Sequence, residues 1–292
     1  MITLLLSGGL GNQMFQYAFA RSLALNNDAG IQISRRFLTH DTLGRRYSLD
    51  KLSLPDIQFM THGQEFIAHT KLYIMRKIHG RSFHSRKFIY LSARDYDYYE
   101  PALLTRDYDS NLIICGYFQS WKYFQEHDSA LRNEFRVSKS PSPDNEAKIN
   151  EITSCESVCV HVRRGDYLTL QGWNVCNYDY YSQSMQYISS RIASPVFYFF
   201  SNTHDDINWL RENYKFPDYD VRYIDLDNPD YEELRLMYSC RHFIIANSSL
   251  SWWASYLSSN PEKIICAPSK WVRGQDTEST GLYMPNWSII RL

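Results

Sequence analysis

The most constraining feature of this sequence is a regular alternation of short apolar runs and helical segments in its second half. The apolar runs have the length of buried strands and lie at residues 158–162, 196–200, 221–224, 243–246 and 263–266. Helices are predicted between them at residues 180–192, 205–214, 229–240 and 250–258. Strands that alternate with helices form a parallel sheet covered on both faces, so an α/β domain is predicted. Ligands of such sheets bind beyond the carboxyl ends of the strands.

The first half begins with a strand, a glycine-rich turn and a helix. An apolar run at residues 2–6 leads into the turn at residues 8–13 and then into a helix at residues 14–25. Met14 stands where a dinucleotide-binding turn has its third glycine, and no acid ends a second strand about 20 residues later, so an NAD site is not expected. The turn still places backbone amides and two side-chain amides at a helix N-terminus, and its candidate binding residues are Gly9, Gly11, Asn12 and Gln13.

The length of 292 residues fits two domains. Residues 138–144 carry two prolines and three serines and form the most loop-like stretch, so we place the domain boundary there, between a first domain of residues 1–140 and a second of residues 141–292. Within the first domain, a helix is expected at residues 64–78, a strand at residues 111–115 and a helix at residues 122–136.

The composition limits which ligands and which cellular compartment are expected for this protein. The formal net charge is −1, so no global field attracts nucleic acid, and any bound anion must be held locally. Six cysteines without a CxxC pair indicate a reducing compartment. The apolar run at residues 2–6 is too short for a signal peptide or a membrane span, so we expect a cytoplasmic protein without an integral membrane segment.

Three predicted strands end in unusual polar residues. After residues 158–162 come Arg163, Arg164, Gly165 and Asp166, which combine planar guanidinium donors with an acid and fit either an anion site or a solvated ion pair in a turn. After residues 243–246 come Asn247, Ser248, Ser249 and Ser251, at a helix start that favours phosphate, although capping alone needs only one serine. Ser201 and Asn202 follow residues 196–200.

Two further features bear on the site. Trp252 and Trp253 are adjacent and could not both face one core, so we expect Trp252 to line the binding site. Asp225 and Asp227 form the one spaced acidic pair at a predicted strand end, which leaves open a divalent metal site. The nine histidines have no zinc-ligand spacing, so His161 is interpreted as a strand-end donor.

Four blocks of sequence, taken together and in order, resemble the bacterial α1,2-fucosyltransferases of glycosyltransferase family 11. They are GGLGNQMFQYA at residues 8–18, HVRRGDY at 161–167, FSN at 200–202 and ANSSLSWW at 246–253. The resemblance extends to LM at 236–237, CRH at 240–242, AP at 267–268 and Trp271. Residues 33–108 add nothing to it, so the choice of acceptor is expected to reside there.

The resemblance implies a GT-B-like α/β fold of two facing Rossmann-like domains, with the active site in the cleft. The first domain would bind the acceptor, the second would bind GDP-β-L-fucose, and the C-terminal tail would pack back on the first. The implied reaction moves L-fucose with inversion to the 2-hydroxyl of a galactose residue in a glycan. GDP-fucose would be a co-substrate, and neither a cofactor nor a metal is expected because positive side chains replace the cation.

The resemblance also implies roles for single residues. Arg163, Asp166 and His161 are the catalytic candidates: Arg163 would stabilise the departing diphosphate, while Asp166 would act as the base or fix Arg163. Arg164 would support the loop or the acid. Related enzymes can place the base after this loop, where this chain has Gln171. The remaining substrate-binding candidates are Gly9, Gly11, Asn12, Gln13, Arg164, Ser201, Asn202, Glu233, Asn247, Ser248, Ser249, Ser251 and Trp252, with Glu233 assigned to guanine.

The sequence leaves two alternative functions open. A metal-dependent nucleotide-sugar transferase of other sugar specificity would use Asp225 and Asp227. A non-catalytic glycan-binding protein would use the aromatic side chains, which form 15% of the chain, to stack on sugars.

Overall fold

A computed structural model describes residues 1–170, 172–274 and 281–292 of the chain, so Gln171 lies outside the described residues. The chain divides into two compact units. The first comprises Met1–Ser138 together with Gly281 and Leu282, and the second comprises the other described residues from Lys139 onward. All six cysteines are free thiols. Among the described residues, no helix is both long and apolar enough to cross a bilayer.

The first unit is built on a six-stranded sheet. Its strands are β1 (Ile2–Leu5), β2 (Ile31–Ser34), β3 (Gln58–Phe59), β4 (Phe83–His84), β5 (Phe88–Tyr90) and β6 (Leu112–Cys115). The strand order is β3-β2-β1-β6-β5-β4, and all neighbours are parallel except the β4–β5 pair. Because β1 lies between β2 and β6, the glycine-rich turn that follows it emerges at the middle of the sheet.

The helices of the first unit are α1 (Leu10–Asn26), α2 (Arg36–Thr39), α3 (His62–His79), α4 (Ala102–Thr105) and α5 (Asp128–Glu134). The predictions for α1 and α3 are confirmed. Gly8 enters the turn before α1 with φ +80°, and a Cβ there would lie 2.9 Å from the Asn12 Nδ2, so only glycine fits.

The predicted single helix at residues 122–136 is wrong. The segment forms the 3₁₀ turns Trp121–Tyr123 and Gln125–His127, and only α5 is α-helical. The backbone leaves the helical region at Phe124, with φ −135° and ψ 11°. Tyr123 and Phe124 are both buried, and burying these two consecutive aromatic rings competes with a continuous helix that presents one face to the core.

The second unit is built on a fully parallel six-stranded sheet. Its strands are β7 (Ser157–His161), β8 (Val196–Phe200), β9 (Asp220–Tyr223), β10 (His242–Ile244), β11 (Ile265–Pro268) and β12 (Ser288–Ile290). The order is β12-β11-β10-β7-β8-β9. The five strands predicted from the apolar runs are confirmed, whereas β12 was not predicted because three residues after a tryptophan give no periodic signal.

The helices of the second unit are α6 (Pro143–Thr153), α7 (Tyr178–Ser189), α8 (His204–Asn213), α9 (Asp230–Ser239) and α10 (Ser249–Leu257). The predictions for α7 to α10 are confirmed within a few residues at each end. Helix α6 was missed, although its start carries a recognisable signal. The Ser142 side chain accepts a hydrogen bond from the Asn145 N–H, and Pro143 occupies the first helical turn.

Candidate active site

The carboxyl ends of β7, β8 and β10 lie side by side at one edge of the second sheet. Ile244 pairs with Val160 and His161 pairs with Phe200, so the three strands end at the same level. Beyond the strands, the Val162 N–H donates to the Phe200 carbonyl at 2.9 Å. The loops after these strands therefore start next to one another, and they carry most of the residues singled out in the sequence.

Arg163 opens the loop after β7 and is only partly held by protein groups. Its Nη2 donates to the Asp166 Oδ1 at 2.7 Å, and its guanidinium lies 5.1 Å from the centre of the Tyr167 ring. Its Nε is buried without a hydrogen-bond acceptor in the part of the chain that the structure describes. A buried guanidinium N–H without an acceptor is costly, so an anionic ligand at this position would satisfy it.

The neighbouring Arg164 does not share this environment. Its Nε donates to the Asp206 Oδ1 at 3.2 Å, and its guanidinium stacks 3.4 Å from the centre of the Trp209 ring. Both partners belong to α8, so Arg164 fixes the loop to that helix. The expectation that two adjacent guanidinium groups face one anion is corrected, because the Asp206 carboxylate takes Arg164; the role of Arg164 in supporting the loop agrees with these contacts.

Ser201 and Asn202, after β8, hold the same loop. The Ser201 hydroxyl donates to the Val162 carbonyl at 2.8 Å, and the Asn202 Oδ1 accepts from the Arg164 N–H at 3.1 Å. Gly165 adopts φ +46° directly against the Asn202 side chain, where a Cβ would lie 3.4 Å from the Asn202 Cγ. These contacts give both side chains a role in shaping the Arg163 loop.

Asn247, after β10, joins three segments. Its Nδ2 donates to the carbonyls of Trp173 and Trp271 at 2.8 and 2.7 Å, and its own carbonyl accepts from the Tyr167 hydroxyl at 3.0 Å. The Tyr167 contact links the loop that carries Arg163 to the loop that begins α10. Asn247 was expected to bind substrate, but its amide is used to tie loops together and it is almost fully buried.

The start of α10 is open to an anion. No side chain caps it, and no acidic residue lies in its first turn. Ser248 is the N-cap residue and Ser249 is the partly buried first residue of the helix. The free N–H groups and the positive end of the helix dipole favour phosphate at such a position. Ser251 does not contribute, because it has no exposed surface and its hydroxyl donates to the Ser248 carbonyl at 3.2 Å.

Both tryptophans of α10 are fully buried, so the expectation that Trp252 lines the binding site is corrected. The Trp252 ring stacks on the Tyr256 ring at 5.3 Å and meets the Trp253 ring edge-on at 5.0 Å. It also contacts the Trp287 ring at 5.6 Å. The two adjacent tryptophans can both be buried because α10 is enclosed on both sides. It packs against α9, and Trp287 covers it from the C-terminal segment.

His161 ends β7 in a buried position just before Arg163. Burial and the positive charge of Arg163 lower its pKa to about 3, so the imidazole is neutral at physiological pH. Its Nδ1 is buried and has no partner among the described residues. A neutral imidazole can donate or accept a hydrogen bond, but it has no proton to give as an acid at neutral pH.

Glu233 carries a second unsatisfied group. It lies in the first turn of α9, its Oε1 accepts from the Asn228 Nδ2 at 3.4 Å, and its Oε2 is buried without a partner in the described ranges. Burial raises its pKa to about 8. Perturbed carboxyl groups with unsatisfied oxygens are candidates for ligand contact. Asn228, which orients Glu233, was not identified from the sequence because no motif marks it.

In the first unit, the glycine-rich turn is stabilised by its own amides. Gln13 has no exposed surface, its Nε2 donates to the carbonyls of Gly8 and Arg46, and its Oε1 accepts from the Ser48 N–H. This corrects the expectation that Gln13 binds substrate. The Asn12 Oδ1 accepts from the Gln119 Nε2 at 2.7 Å.

The two candidate glycines of this turn occupy different surroundings. Gly9 precedes α1 with no atom within 4 Å of where its Cβ would lie, and α1 has neither a capping side chain nor an acid in its first turn. Gly11 is a buried residue of α1. Open space for a ligand therefore lies above Gly9 rather than at Gly11.

In the acidic pair considered as a metal site, the Asp225 carboxylate is surrounded by basic side chains. The Asp225 carboxylate accepts from the Arg211 Nη1 at 2.7 Å and lies 2.5 Å from the His204 Nδ1, and these partners lower its pKa. Among the described residues, no group of three or more histidine, cysteine or acidic side chains is arranged to hold a metal ion. Asp225 is thus an ion-pair partner of α8.

Two α/β units, each built on a mainly parallel six-stranded sheet, place the chain in the GT-B fold class. The chain belongs to glycosyl transferase family 11, whose family model matches residues 1–291. The family resemblance expected from the four sequence blocks is therefore confirmed.

Known proteins similar to this chain agree with this class. An α-1,2-colitosyltransferase of Escherichia coli is 31% identical over 94% of this chain and 93% of its own length. The Escherichia coli O-antigen biosynthesis glycosyltransferase WbnK is 28% identical over 97% of this chain and 98% of its own length. The crystal structure of fucosyltransferase NodZ from Bradyrhizobium has a TM-score of 0.50 at 12% identity, over 87% of this chain and 92% of that chain.

Proposed function

We propose that this protein transfers L-fucose from GDP-β-L-fucose, with inversion, to the 2-hydroxyl of a galactose residue in a glycan. The observation that carries the proposal is the partly satisfied Arg163, linked through Tyr167 and Asn247 to the uncapped start of α10. This edge of the second unit offers a guanidinium, helix N–H groups and hydroxyls to a diphosphate. We infer that it binds GDP-fucose without a metal cofactor.

In the proposed reaction, the bond between fucose C1 and the β-phosphate oxygen breaks while the galactose O2 bonds to C1 from the opposite face. The electron pair of the broken bond goes to the diphosphate, and GDP leaves. Arg163 and the N–H groups of α10 stabilise the charge that develops on this leaving group. The acceptor hydroxyl loses its proton late, because the transition state has oxocarbenium character.

We assign Asp166 to the positioning of Arg163. Its Oδ1 accepts from the Arg163 Nη2, which turns the guanidinium in one fixed direction. The Asp166 carboxylate is already engaged by Arg163, so the hydroxyl proton is proposed to pass to water. His161 is assigned a neutral hydrogen bond to the donor, in keeping with its lowered pKa.

Glu233 is proposed to bind guanine. The N1–H and N2–H donors of guanine match the two oxygens of a carboxylate, and the unsatisfied Oε2 together with the adjacent Oε1 supplies such a pair. This binding favours the ionised carboxylate, so it opposes the burial that raises the pKa of Glu233. We place the acceptor on the first unit, beginning at the open side of Gly9.

A second donor deserves a direct comparison, because the relative with 31% identity is a colitosyltransferase. Colitose differs from fucose in lacking one ring hydroxyl. The experiment incubates the purified protein with GDP-fucose or GDP-colitose and with galactose-terminated oligosaccharides in the presence of EDTA. GDP release and the linkage of the product are then measured.

We expect acceptor-dependent GDP release with GDP-fucose and a product with an α1,2 linkage. Faster GDP release with GDP-colitose than with GDP-fucose would support the same transfer reaction with a different sugar donor. Loss of activity on chelation would favour the metal-dependent alternative, and glycan binding without GDP release from any donor would favour a non-catalytic protein. Arg191→Ala, at an exposed arginine just after α7, serves as a matched arginine control.

A further inference from the structure

Helix α3 of the first unit has an unusual distribution of side chains. Its buried residues are Glu65, Ala68 and Leu72. Ala68 and Leu72 pack in a small core with Leu5 and Tyr90, and the Glu65 carboxylate accepts from the Ser34 hydroxyl and the Arg35 N–H. The buried side chains of the helix are thus only three, with the partly buried His69 beside them at 2.9 Å from the Ser34 hydroxyl.

The outward side of α3 carries five large apolar side chains that are each between 50% and 67% exposed. They are Phe66, Ile67, Tyr73, Ile74 and Ile78. At about 100° per residue, these positions fall within an arc of about 140° on one side of the helix. We call this set the α3 apolar face. A helix that covers a sheet normally turns polar residues to water, and a contiguous exposed apolar patch marks an interaction surface.

The exposed charges of α3 are all positive. Lys71, Arg76 and Lys77 are exposed, while the one acid of the helix, Glu65, is buried. None of the three cations forms an ion pair with a described residue. Arg76 and Lys77 lie instead over the rings of Tyr90 and Tyr73, at 4.7 and 5.5 Å from the ring centres. At about 100° per residue, Lys77 falls within the α3 apolar face and Lys71 at its edge, whereas Arg76 falls on the inward side beside Tyr90.

A cavity of about 760 Å³ adjoins this face but adds no net charge. Lys71 and Ile74 border it on the α3 side, with Arg86 and Lys87 on the other. Arg86 pairs with Asp107 and Asp109, and Lys87 lies 3.8 Å from the Asp109 carboxylate. The excess positive charge of the region therefore comes from the helix, and the cavity is not a dedicated anion pocket.

We propose that α3 docks this protein onto an anionic lipid surface, lying in the plane of the interface. The 18 residues of the helix extend about 27 Å, which suits a surface helix whose apolar side chains enter the boundary between headgroups and acyl chains. Tyr73 suits the headgroup level, and Lys71 and Lys77 attract anionic headgroups. This inference is independent of the proposed sugar transfer.

A second copy of the chain fits this face less well. In a two-fold dimer the same patch meets itself, so its cations would have to find their partners within that patch. No exposed acid of α3 is available to compensate them. An anionic membrane surface satisfies the apolar side chains and the cations together.

The test is co-sedimentation of the full chain with vesicles. Phosphatidylcholine vesicles are compared with vesicles that contain about 30% phosphatidylglycerol, at low and high salt. We expect binding to the anionic vesicles that weakens with salt. The double variant Lys71→Gln/Lys77→Gln is expected to bind about 30-fold more weakly. The variant Ile74→Ser/Ile78→Ser is expected to lose most of the binding, because both apolar anchors are removed.

The controls are Leu43→Ser, another exposed apolar residue of the first unit, and Lys139→Gln, an exposed lysine. Both are expected to bind like the wild type, and circular dichroism checks that every variant is folded. The proposal is overturned by an absence of binding to anionic vesicles, by equal binding to neutral vesicles, or by α3 variants that bind unchanged. A dimer that is lost in Ile74→Ser/Ile78→Ser without vesicle binding would identify the second copy as the occupant.

Discussion

The two units use the polar residues that follow their strands in opposite ways. In the first, the amide of Gln13 is fully bonded to backbone groups of its own unit, which stiffens the glycine-rich turn. In the second, Asn202, Asn247 and Tyr167 hold the loops so that Arg163 keeps an unsatisfied donor. Hydrogen bonds that are complete give stability, whereas a donor held in place without an acceptor indicates a binding site. The predictions below test this difference.

The largest effect is expected at Arg163. Arg163→Ala removes the guanidinium proposed to stabilise the leaving diphosphate, so turnover should fall by about 10²-fold or more, the scale for a lost transition-state donor. The thermal midpoint should change little, because the guanidinium makes few protein contacts. Steady-state GDP release measures the rate and differential scanning fluorimetry the stability. A variant with nearly the wild-type rate would remove Arg163 from the mechanism, and Arg191→Ala is the matched control.

The opposite pattern is expected at Gln13. Gln13→Ala leaves two carbonyls and one N–H without their buried partner, so the free energy of unfolding should fall by about 2–3 kcal/mol. The exposed Gln183 of α7 provides the control, since Gln183→Ala should change stability by less than about 0.5 kcal/mol. Urea unfolding of both variants measures the difference. Equal stability of the two would contradict the structural role of the Gln13 amide.

Glu233 is expected to affect both stability and binding, with a defined dependence on pH. Its folded pKa of about 8 lies above the value of about 4.3 for an unfolded chain. Between these values the folded state holds a proton that the unfolded state has lost, so this carboxyl reduces stability as pH rises from about 4 to 8. Glu233→Gln should therefore gain stability relative to the wild type over that range. Scanning fluorimetry from pH 5 to 8 measures it.

The same carboxyl should make GDP binding dependent on pH. Guanine favours the ionised form, so the GDP affinity of the wild type should rise between pH 6 and 8, by at most about tenfold per pH unit. The Glu233→Gln variant should bind GDP more weakly, and its GDP affinity should not change with pH. Calorimetric titration at three pH values provides the measurement. A wild-type affinity that is flat with pH would argue against a guanine contact at Glu233.

The smallest effect on rate is expected at Asp166. Asparagine keeps an oxygen that can accept from Arg163, so Asp166→Asn should lose less than about tenfold in turnover if the residue positions the guanidinium. A general base would cost about 10²-fold to 10⁴-fold and would change the pH profile. The pH dependence of the rate in both proteins distinguishes the two roles. A loss as large as that of Arg163→Ala would assign proton transfer to Asp166.

Much of the fold could be predicted from the sequence because the second unit repeats one pattern. Apolar runs of four or five residues alternate with helices there, and each run became a strand. The failures lie where this pattern stops. The segment at residues 122–136 has aromatic burial that overrides helical propensity, and β12 is too short for periodicity.

The sequence predicted that the loops after β7, β8 and β10 lie together, but it did not predict what each side chain in them contacts. The carboxyl ends of β7 and β10 were identified because glycine, arginine and serine follow apolar runs there. The contacts of three of these side chains are made with segments that are distant in sequence. Arg164 contacts α8, Asn247 contacts the carbonyls of Trp173 and Trp271, and Trp252 contacts Trp287. Such contacts leave no local signal, so side chains with structural roles were grouped with those left to meet a ligand.

The most direct test of the central claim is transfer by the purified wild-type protein in EDTA, with radiolabelled GDP-fucose and a galactose-terminated acceptor. We expect labelled oligosaccharide with fucose in α1,2 linkage, formed at the same rate with and without the chelator, and almost none from Arg163→Ala. A rate that disappears with EDTA and returns with a divalent cation, or that is unchanged in Arg163→Ala, would contradict it.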